Sequence, residues 1–165
     1  MSAEVMAEAY NLMSDGDLRG ALDLVGRNTA PYLLLEWFDT GEIYIDEVRP
    51  VLLDVWQMAE WPCQLLPRKQ WLSWFRSAGY LTEVGDCSWT GTKRLYRAQV
   101  GRTMGLSWTP DREIAQWYHD RNANYFQFPN ARLLERDVRW SAVLATLNDR
   151  TEGRLEVLVD PEVRK

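Results

Sequence analysis

The sequence is poor in the two residue types that most often build metal sites and nucleophilic sites. It contains one histidine, His119, and two cysteines, Cys63 and Cys87, among 165 residues. A zinc site needs a cluster of Cys and His ligands, and the sequence offers no such cluster. A Ser-His-Asp triad would have to use His119, which no G-x-S-x-G motif accompanies. We therefore expect neither a metal centre nor a serine hydrolase site.

Long apolar runs and leader-like features are also missing. No stretch approaches the roughly 18 apolar residues of a membrane-spanning helix, and the first ten residues are acidic rather than basic and apolar. Two cysteines cannot build the disulfide framework of a small secreted domain, which fits a reducing compartment. These features predict no membrane segment, no secretory signal and a cytoplasmic location. P-loop and G-x-G-x-x-G patterns are absent too, which argues against nucleotide binding through either motif.

Tryptophan content and charge distribution are the unusual features that are present. The chain has nine tryptophans, with 46% hydrophobic and 26% charged residues overall. Indole rings usually anchor a core, although some could form a ligand or partner surface. The formal charge is −8 over residues 1–92 and +3 over residues 93–165. The basic half could hold a small anionic ligand such as a dinucleotide pyrophosphate, or the two surfaces could simply differ in charge.

The first half of the chain has the periodicity of amphipathic helices. Apolar residues recur at helical spacing, and glycine or proline follows several of these segments as a stop signal. The pattern predicts that residues 1–80 are almost entirely helical and contribute no catalytic group. The expected helices span residues 3–13, 17–25, 31–38, 45–60 and 67–78. Four tryptophans on their apolar faces are expected to be buried: Trp37, Trp56, Trp71 and Trp74.

The second half changes character, and we place the boundary between a helical subdomain, residues 1–88, and a β-rich core, residues 89–165. Glycines bracket a strand-like segment, and Thr109 before Pro110 predicts the capped start of a helix. The expected strands span residues 94–100, 125–128, 131–138 and 155–159. The expected helices span residues 110–121 and 141–147. The fold class predicted from this order is α+β.

Three polar residues interrupt otherwise apolar strand-like segments of the second half. Arg97 lies in LYRAQV, Ser107 in GLSWT and Glu156 in RLEVLVD. Strand alternation places Arg97 opposite its neighbours, and Glu156 opposite the β-branched residues around it. Taken singly, each has an ordinary interpretation, since a charged strand residue usually faces water and a serine before a helix usually caps it.

Taken in order, these residues resemble the ADP-ribosyltransferase-like family in its Arg-Ser-Glu branch, of the small bacterial and phage type. That branch has an Arg on its first core strand, a Ser-x-[Ser/Thr] strand before a helix, and a Glu on a late strand. Here these are LYRAQ, Ser107-Trp108-Thr109 and Glu156. The resemblance covers about residues 93–161. It implies a split, strongly bent mixed β-sheet with the N-terminal helices packed against it.

The resemblance also implies an activity, in which NAD is cleaved at the nicotinamide–ribose bond and ADP-ribose passes to a macromolecular acceptor. Arg97 would bind phosphate or ribose oxygens, and Ser107 would orient Arg97 and Glu156. Glu156 would hold a ribose hydroxyl and stabilise the developing cation. The three side chains are then expected to converge on one cleft. Three aromatic residues, Trp108, Trp117 and Tyr118, are candidates for packing nicotinamide or adenine, with a place in the core as the alternative. Thr109 would support its strand, with capping of the helix as the alternative.

One position departs from the family pattern. Arginine-modifying members carry an acidic residue two positions before the glutamate, where this chain has Arg154; the nearest acidic residue before it is Glu152. The acceptor, protein or nucleic acid, is therefore open, and a phage protein would modify a host molecule. NAD hydrolysis alone, or binding without turnover, also fits. The alternatives are a non-catalytic protein of the same fold that engages a partner through exposed aromatics, and RNA 2′-phosphate transfer, which a single histidine disfavours.

Overall fold

The computed structural model describes residues 2–148 and 154–163. The chain divides into two compact units between Gly79 and Tyr80, earlier than the boundary between residues 88 and 89 that composition suggested. The first unit is helical and the second combines strands with one longer helix. Mixed α and β structure, with a small mixed sheet, was the expected fold class at this coarse level.

Helices make up the regular structure of the first unit, and over residues 2–79 the helical prediction is confirmed. Asp17 caps the second helix by accepting a hydrogen bond from the Gly20 amide at 2.9 Å. The helices are α1 (Ala3–Ser14), α2 (Leu18–Val25), α3 (Ala30–Thr40), α4 (Ile45–Val48), α5 (Leu52–Met58), α6 (Pro62–Leu65) and α7 (Arg68–Ala78).

The single helix expected over residues 45–60 is wrong, because the structure breaks it into α4 and α5. Pro50 lies between the two pieces and has no amide hydrogen to donate to the preceding turn. The apolar stripe continues across the break, since Val48, Val51 and Leu52 are all buried. The periodicity therefore predicted the buried face correctly, although it did not predict the break in the helix.

Aromatic rings fill the core of the first unit. The four tryptophans predicted to be buried are at most 5% exposed. Trp71 lies edge-to-face with Trp56, at a centroid distance of 5.2 Å, and with Trp74 at 5.7 Å. Phe75 stacks on Trp71 at 6.4 Å. Such arrangements contribute beyond simple area burial, so this cluster adds to the stability that the buried aliphatic residues provide.

The second unit contains a four-stranded mixed sheet and a two-stranded antiparallel one. The four-stranded sheet has the order β1-β5-β6-β3, with β1 parallel to β5 and the other pairs antiparallel; β2 and β4 form the second sheet. A helix, α8 (Arg112–Asp120), follows β3. The strands are β1 (Leu81–Thr82), β2 (Thr92–Gln99), β3 (Ser107–Trp108), β4 (Arg132–Arg139), β5 (Val143–Asn148) and β6 (Leu155–Val159).

The two sheets meet in one apolar cluster and are joined by one backbone bridge. Tyr96 of β2 and Thr109, just after β3, exchange amide–carbonyl hydrogen bonds of 2.8 and 2.9 Å. The cluster combines buried residues of both sheets. These are Leu95, Trp108, Val138, Ala142, Val157 and Val159.

Three local predictions for the second unit are wrong. Residues 143–148 form strand β5 rather than a helix, because they pair with β6 on one side and β1 on the other, with a 3₁₀ turn, Trp140–Ala142, before them. Residues 125–128 form no strand, and a π-helical turn, Arg121–Tyr125, extends α8 instead. The cap of α8 is Asp111, since Thr109 is engaged in the bridge.

Two buried tryptophans of α7 provide a test of how the first unit's core is held. The indole N–H of Trp71 donates to the Pro62 carbonyl at 3.0 Å. The N–H of Trp74 has no hydrogen-bond partner within residues 2–148 and 154–163. Substitution by Phe removes similar volume at both sites, but only Trp71→Phe loses a side-chain hydrogen bond. The Pro62 carbonyl keeps its bond from the Leu66 amide at 3.0 Å.

We therefore expect Trp71→Phe to lower the free energy of unfolding by about 0.5–1.5 kcal/mol more than Trp74→Phe, the usual net contribution of one hydrogen bond. Urea unfolding followed by circular dichroism measures both variants. Equal losses would mean that ring volume alone determines their contribution.

Candidate functional site

The three residues of the Arg-Ser-Glu pattern lie on three neighbouring strands. Arg97 is on β2, Ser107 on β3 and Glu156 on β6. Strand β3 pairs with β6 directly and is linked to β2 by the Tyr96–Thr109 bridge. Residues far apart in sequence are thereby brought to one region of the second unit.

Strand register places Ser107 and Glu156 on the same face. Ser107 is opposite Leu158, and Glu156 lies two residues before Leu158 on the same strand. Residues directly opposite in an antiparallel pair project to the same side, and a diagonal pair has β-carbons roughly 7–8 Å apart. A hydroxyl and a long carboxylate side chain can meet across that separation. Both side chains are half-buried.

Arg97 starts from the other face of the joined strands. The bridge puts Tyr96 on the side of Thr109 and Ser107, so Arg97 leaves β2 on the side of Leu95, which is fully buried in the inter-sheet cluster. Its guanidinium still reaches β3, because Nη1 donates to the Ser107 carbonyl oxygen at 2.5 Å. The Arg97 side chain therefore contacts Ser107 through the backbone of β3. The three side chains do not leave the strands on one face, which differs from the expected arrangement.

Trp108 and Thr109 are placed as structural residues. Trp108 is 3% exposed and packs in the inter-sheet cluster, opposite Val157, so its ring has no surface open to a nucleotide. Thr109 pairs its backbone with Tyr96, and its hydroxyl accepts a hydrogen bond from the Asp111 amide at 3.1 Å. The support role expected for Thr109 agrees with this geometry, whereas direct cofactor contact by Trp108 does not.

Trp117 and Tyr118 lie in the C-terminal turn of α8. Trp117 is 50% exposed and contacts Tyr118 edge-to-face at a centroid distance of 4.9 Å. The Arg121 guanidinium lies over the Trp117 ring, 5.6 Å from its centroid. Tyr125 is 78% exposed. A shallow depression of about 470 Å³ is lined by Trp117, Asp120, Arg121, Asn124 and Tyr125.

Sequence reasoning missed Gln99, which the structure connects directly to Arg97. Gln99 is 2% exposed, and its Oε1 accepts from Arg97 Nε at 2.9 Å. The available signal was alternation: Gln99 follows Arg97 by two residues, on the same face of β2, immediately before the glycine-bounded loop that leads to β3.

Arg154, at the position where the family pattern has an acidic residue, forms an ion pair with the cap of α8. Its Nη1 donates to Asp111 Oδ2 at 2.7 Å. The other Asp111 oxygen accepts from the amides of Glu113 and Ile114. Burial pushes the pKa of the Asp111 carboxyl upward, but these amides and the Arg154 guanidinium outweigh burial and hold the pKa below its usual value. Glu152, the alternative acidic residue, lies outside the described residues.

The part of the chain that the structure describes lacks both a cluster of metal ligands and a membrane-spanning helix. There, no group of three or more His, Cys, Asp and Glu side chains is arranged to hold a metal ion. His119 instead contacts the Asp120 carboxylate through Nδ1 at 2.9 Å. Among the described helices, none combines the length and the apolar character required to cross a membrane.

The cap of α8 yields a pH-dependent prediction. We expect Asp111→Ala to cost about 0.5–2 kcal/mol of unfolding free energy, the usual range for losing an N-cap side chain. Because the folded-state pKa of Asp111 is lowered, its contribution is complete above the ordinary carboxyl pKa of about 4 and is lost as the pH falls through the lower folded value.

Urea unfolding of wild type and Asp111→Ala at several pH values between neutrality and strong acid measures this. The difference between the two proteins should shrink at acidic pH. A difference that stays constant with pH would contradict the carboxylate role.

Comparison with known proteins adds no relative, since no family model matches the chain and no curated protein or solved structure matches it either.

Proposed function

We propose that the protein is an NAD-dependent ADP-ribosyltransferase that cleaves the nicotinamide–ribose bond and transfers ADP-ribose to a macromolecular acceptor, a protein or a nucleic acid. The observation that carries the proposal is the adjacency of β2, β3 and β6, the three strands that bear Arg97, Ser107 and Glu156. Their order along the chain is that of the Arg-Ser-Glu branch. A hydrogen bond from the Arg97 guanidinium to the Ser107 carbonyl links the first two positions.

The chemistry assigns a different task to each residue. In the proposed reaction the bond between ribose C1′ and the nicotinamide nitrogen breaks, and its electron pair stays on nicotinamide, which leaves as a neutral ring. Positive charge develops on the ribose, as in glycoside cleavage. The Glu156 carboxylate stabilises this charge and accepts a hydrogen bond from a ribose hydroxyl. The acceptor's nucleophilic atom then forms the new bond to C1′ and releases its proton.

Arg97 and Ser107 serve binding and orientation in this proposal. A guanidinium fork matches two phosphate oxygens and keeps its charge at every relevant pH. Ser107 shares the Glu156 face of the sheet, so its hydroxyl is suited to orient that carboxylate. The Arg97 side chain leaves β2 on the face opposite Glu156. In this proposal its guanidinium must therefore reach past the edge of β3 to contact the NAD that Glu156 contacts.

The acceptor class is left open by the position before Glu156. Arg154 stands where an acceptor-activating carboxylate is expected, and it pairs with Asp111. An arginine acceptor is therefore disfavoured in this proposal. Acceptors that need less activation by a carboxylate at that position, including water, fit better.

A second candidate function rests on the exposed aromatic residues of α8 and the π-helical turn. Trp117 and Tyr125 are half or more exposed beside Arg121, an arrangement typical of interface anchors. In this alternative the protein binds a macromolecular partner through that surface and does not turn over NAD.

Two substitutions test the enzymatic proposal. We expect Glu156→Gln to keep the fold and much of the NAD affinity but to lower nicotinamide release by roughly two to three orders of magnitude, the scale for removing one group aimed at transition-state charge. We expect Arg97→Lys to weaken NAD binding, because an ammonium lacks the planar fork. Calorimetry with NAD and a nicotinamide-release assay measure both effects.

The same measurements separate the two candidate functions. Equal nicotinamide release by wild type and Glu156→Gln would contradict the role given to Glu156. Absence of NAD binding by wild type at millimolar concentration would overturn the enzymatic proposal and leave the binding function. As a surface control, Tyr125→Ala changes an exposed residue that has no role in the enzymatic proposal and should leave the nicotinamide release of an active wild type unchanged.

A further inference from the structure

A buried glutamine closes the loop between the strands that carry Arg97 and Ser107. Gln99 ends β2, is 2% exposed, and is one of the few buried polar residues in the described chain. The loop of residues 100–106 then leads to β3. A buried amide costs free energy unless its donors and acceptor are paired, so its contacts report what the side chain does.

The amide nitrogen of Gln99 donates hydrogen bonds to carbonyl groups of the loop. Nε2 donates to the Val100 oxygen at 2.6 Å and to the Thr103 oxygen at 2.8 Å. A longer contact of 3.5 Å reaches the Gly101 oxygen, which also accepts from Arg132 Nη2 of the neighbouring strand at 3.1 Å. The Gln99 side chain thus ties two carbonyl groups of the loop to the end of β2.

The amide oxygen of Gln99 holds the other end of the network. Oε1 accepts from Arg97 Nε at 2.9 Å and from the Gly105 amide at 3.3 Å. Together with the bond from Arg97 Nη1 to the Ser107 carbonyl, this fixes two donors of a planar group. Two fixed donors orient the whole guanidinium plane, because the five N–H groups of arginine form a rigid fork.

Gly105 provides the space for that guanidinium. A β-carbon at this position would overlap Arg97 Nη2 and Cζ. Gly105 is not among the glycines with positive φ, so its backbone accepts an L-residue. The glycine is therefore required by the arginine head group and not by the conformation of the loop.

We infer that Gln99 and Gly105 are positioning residues for Arg97: the glutamine orients the guanidinium from the Nε side, and the glycine leaves room for it. The consequence for NAD rests on the proposed function. In that setting, Gln99 prepares the phosphate-binding fork before substrate arrives, so that less freedom is lost on binding. The orientation of Arg97 itself does not depend on any ligand.

Two variants disturb the guanidinium from its two sides. Gln99→Leu removes the hydrogen bonds of the amide nitrogen and oxygen at similar size. Gly105→Ala displaces the flexible arginine head while keeping the Gln99 contacts to the loop carbonyls. Val138→Ala is the matched control, because it removes buried volume from the same unit without touching this network. Thermal unfolding of all three variants measures how far each is destabilised.

The first readout needs no ligand. The NMR signal of the Arg97 Nε–H, assigned by its loss in Arg97→Lys, should shift and exchange faster with water in Gln99→Leu, and should shift in Gly105→Ala. It should stay at its wild-type position in Val138→Ala. An unchanged signal in Gln99→Leu would overturn the inference whether or not the protein binds NAD.

The second readout applies if wild type binds NAD. We expect Gln99→Leu to weaken NAD binding about tenfold, and to weaken it less than about twofold in an Arg97→Ala background, since coupled residues are not additive. The same loss in both backgrounds would make Gln99 a merely structural residue. If wild type binds no NAD, the proposed function fails while the arginine signal still decides the positioning role.

Discussion

Two backbone hydrogen bonds between Tyr96 and Thr109 are the constraint on which the second unit depends. They join β2 to β3, and with them the two-stranded sheet to the four-stranded one. Because β3 has only two residues, few other backbone bonds hold it, and the inter-sheet cluster around Trp108 provides the rest of its anchorage. Short paired segments of this kind need apolar packing to be stable. The site residues occupy this junction.

The junction also explains why polar side chains are buried beside it. In the loop before β3, the Leu106 carbonyl accepts from the Val159 amide of β6, and the Gln99 amide nitrogen satisfies the carbonyl groups of Val100 and Thr103. Arg97 satisfies the Ser107 carbonyl in the same way. Such networks stabilise one arrangement strongly when every group is paired and are costly when one member is lost. The hydrogen bonds that satisfy the fold therefore also hold the Arg97 guanidinium in the one orientation that the proposed function uses.

The arginine just before β6 links a strand of the candidate site to the neighbouring helix. Arg154 connects the strand to the N-terminus of α8 through Asp111. An acidic residue at that position would face the Asp111 carboxylate with like charge, which the helix start would not favour. The cap of α8 and the arginine two positions before Glu156 are thus parts of one electrostatic arrangement.

The sequence by itself determined those features that depend on local chemistry. Helical periodicity predicted the first unit and the burial of Trp37, Trp56, Trp71 and Trp74, because a continuous apolar face must find a core. It did not predict the break at Pro50, since the periodicity crosses it. Strands β2, β4 and β6 were predicted from composition and glycine boundaries, with ends within a few residues of those in the structure.

Only the tertiary structure decided the rest, because pairing partners and faces are non-local. A helix was expected over residues 141–147, but residues 143–148 form β5, which lies between β1 and β6. The resemblance implied that Arg97, Ser107 and Glu156 converge on one cleft, but the bridge at Tyr96 places Arg97 on the opposite face of the joined strands from Ser107 and Glu156. The burial of Gln99 also arises from a loop that returns to it. A linear sequence specifies which groups can bond, and three-dimensional packing determines which of them meet.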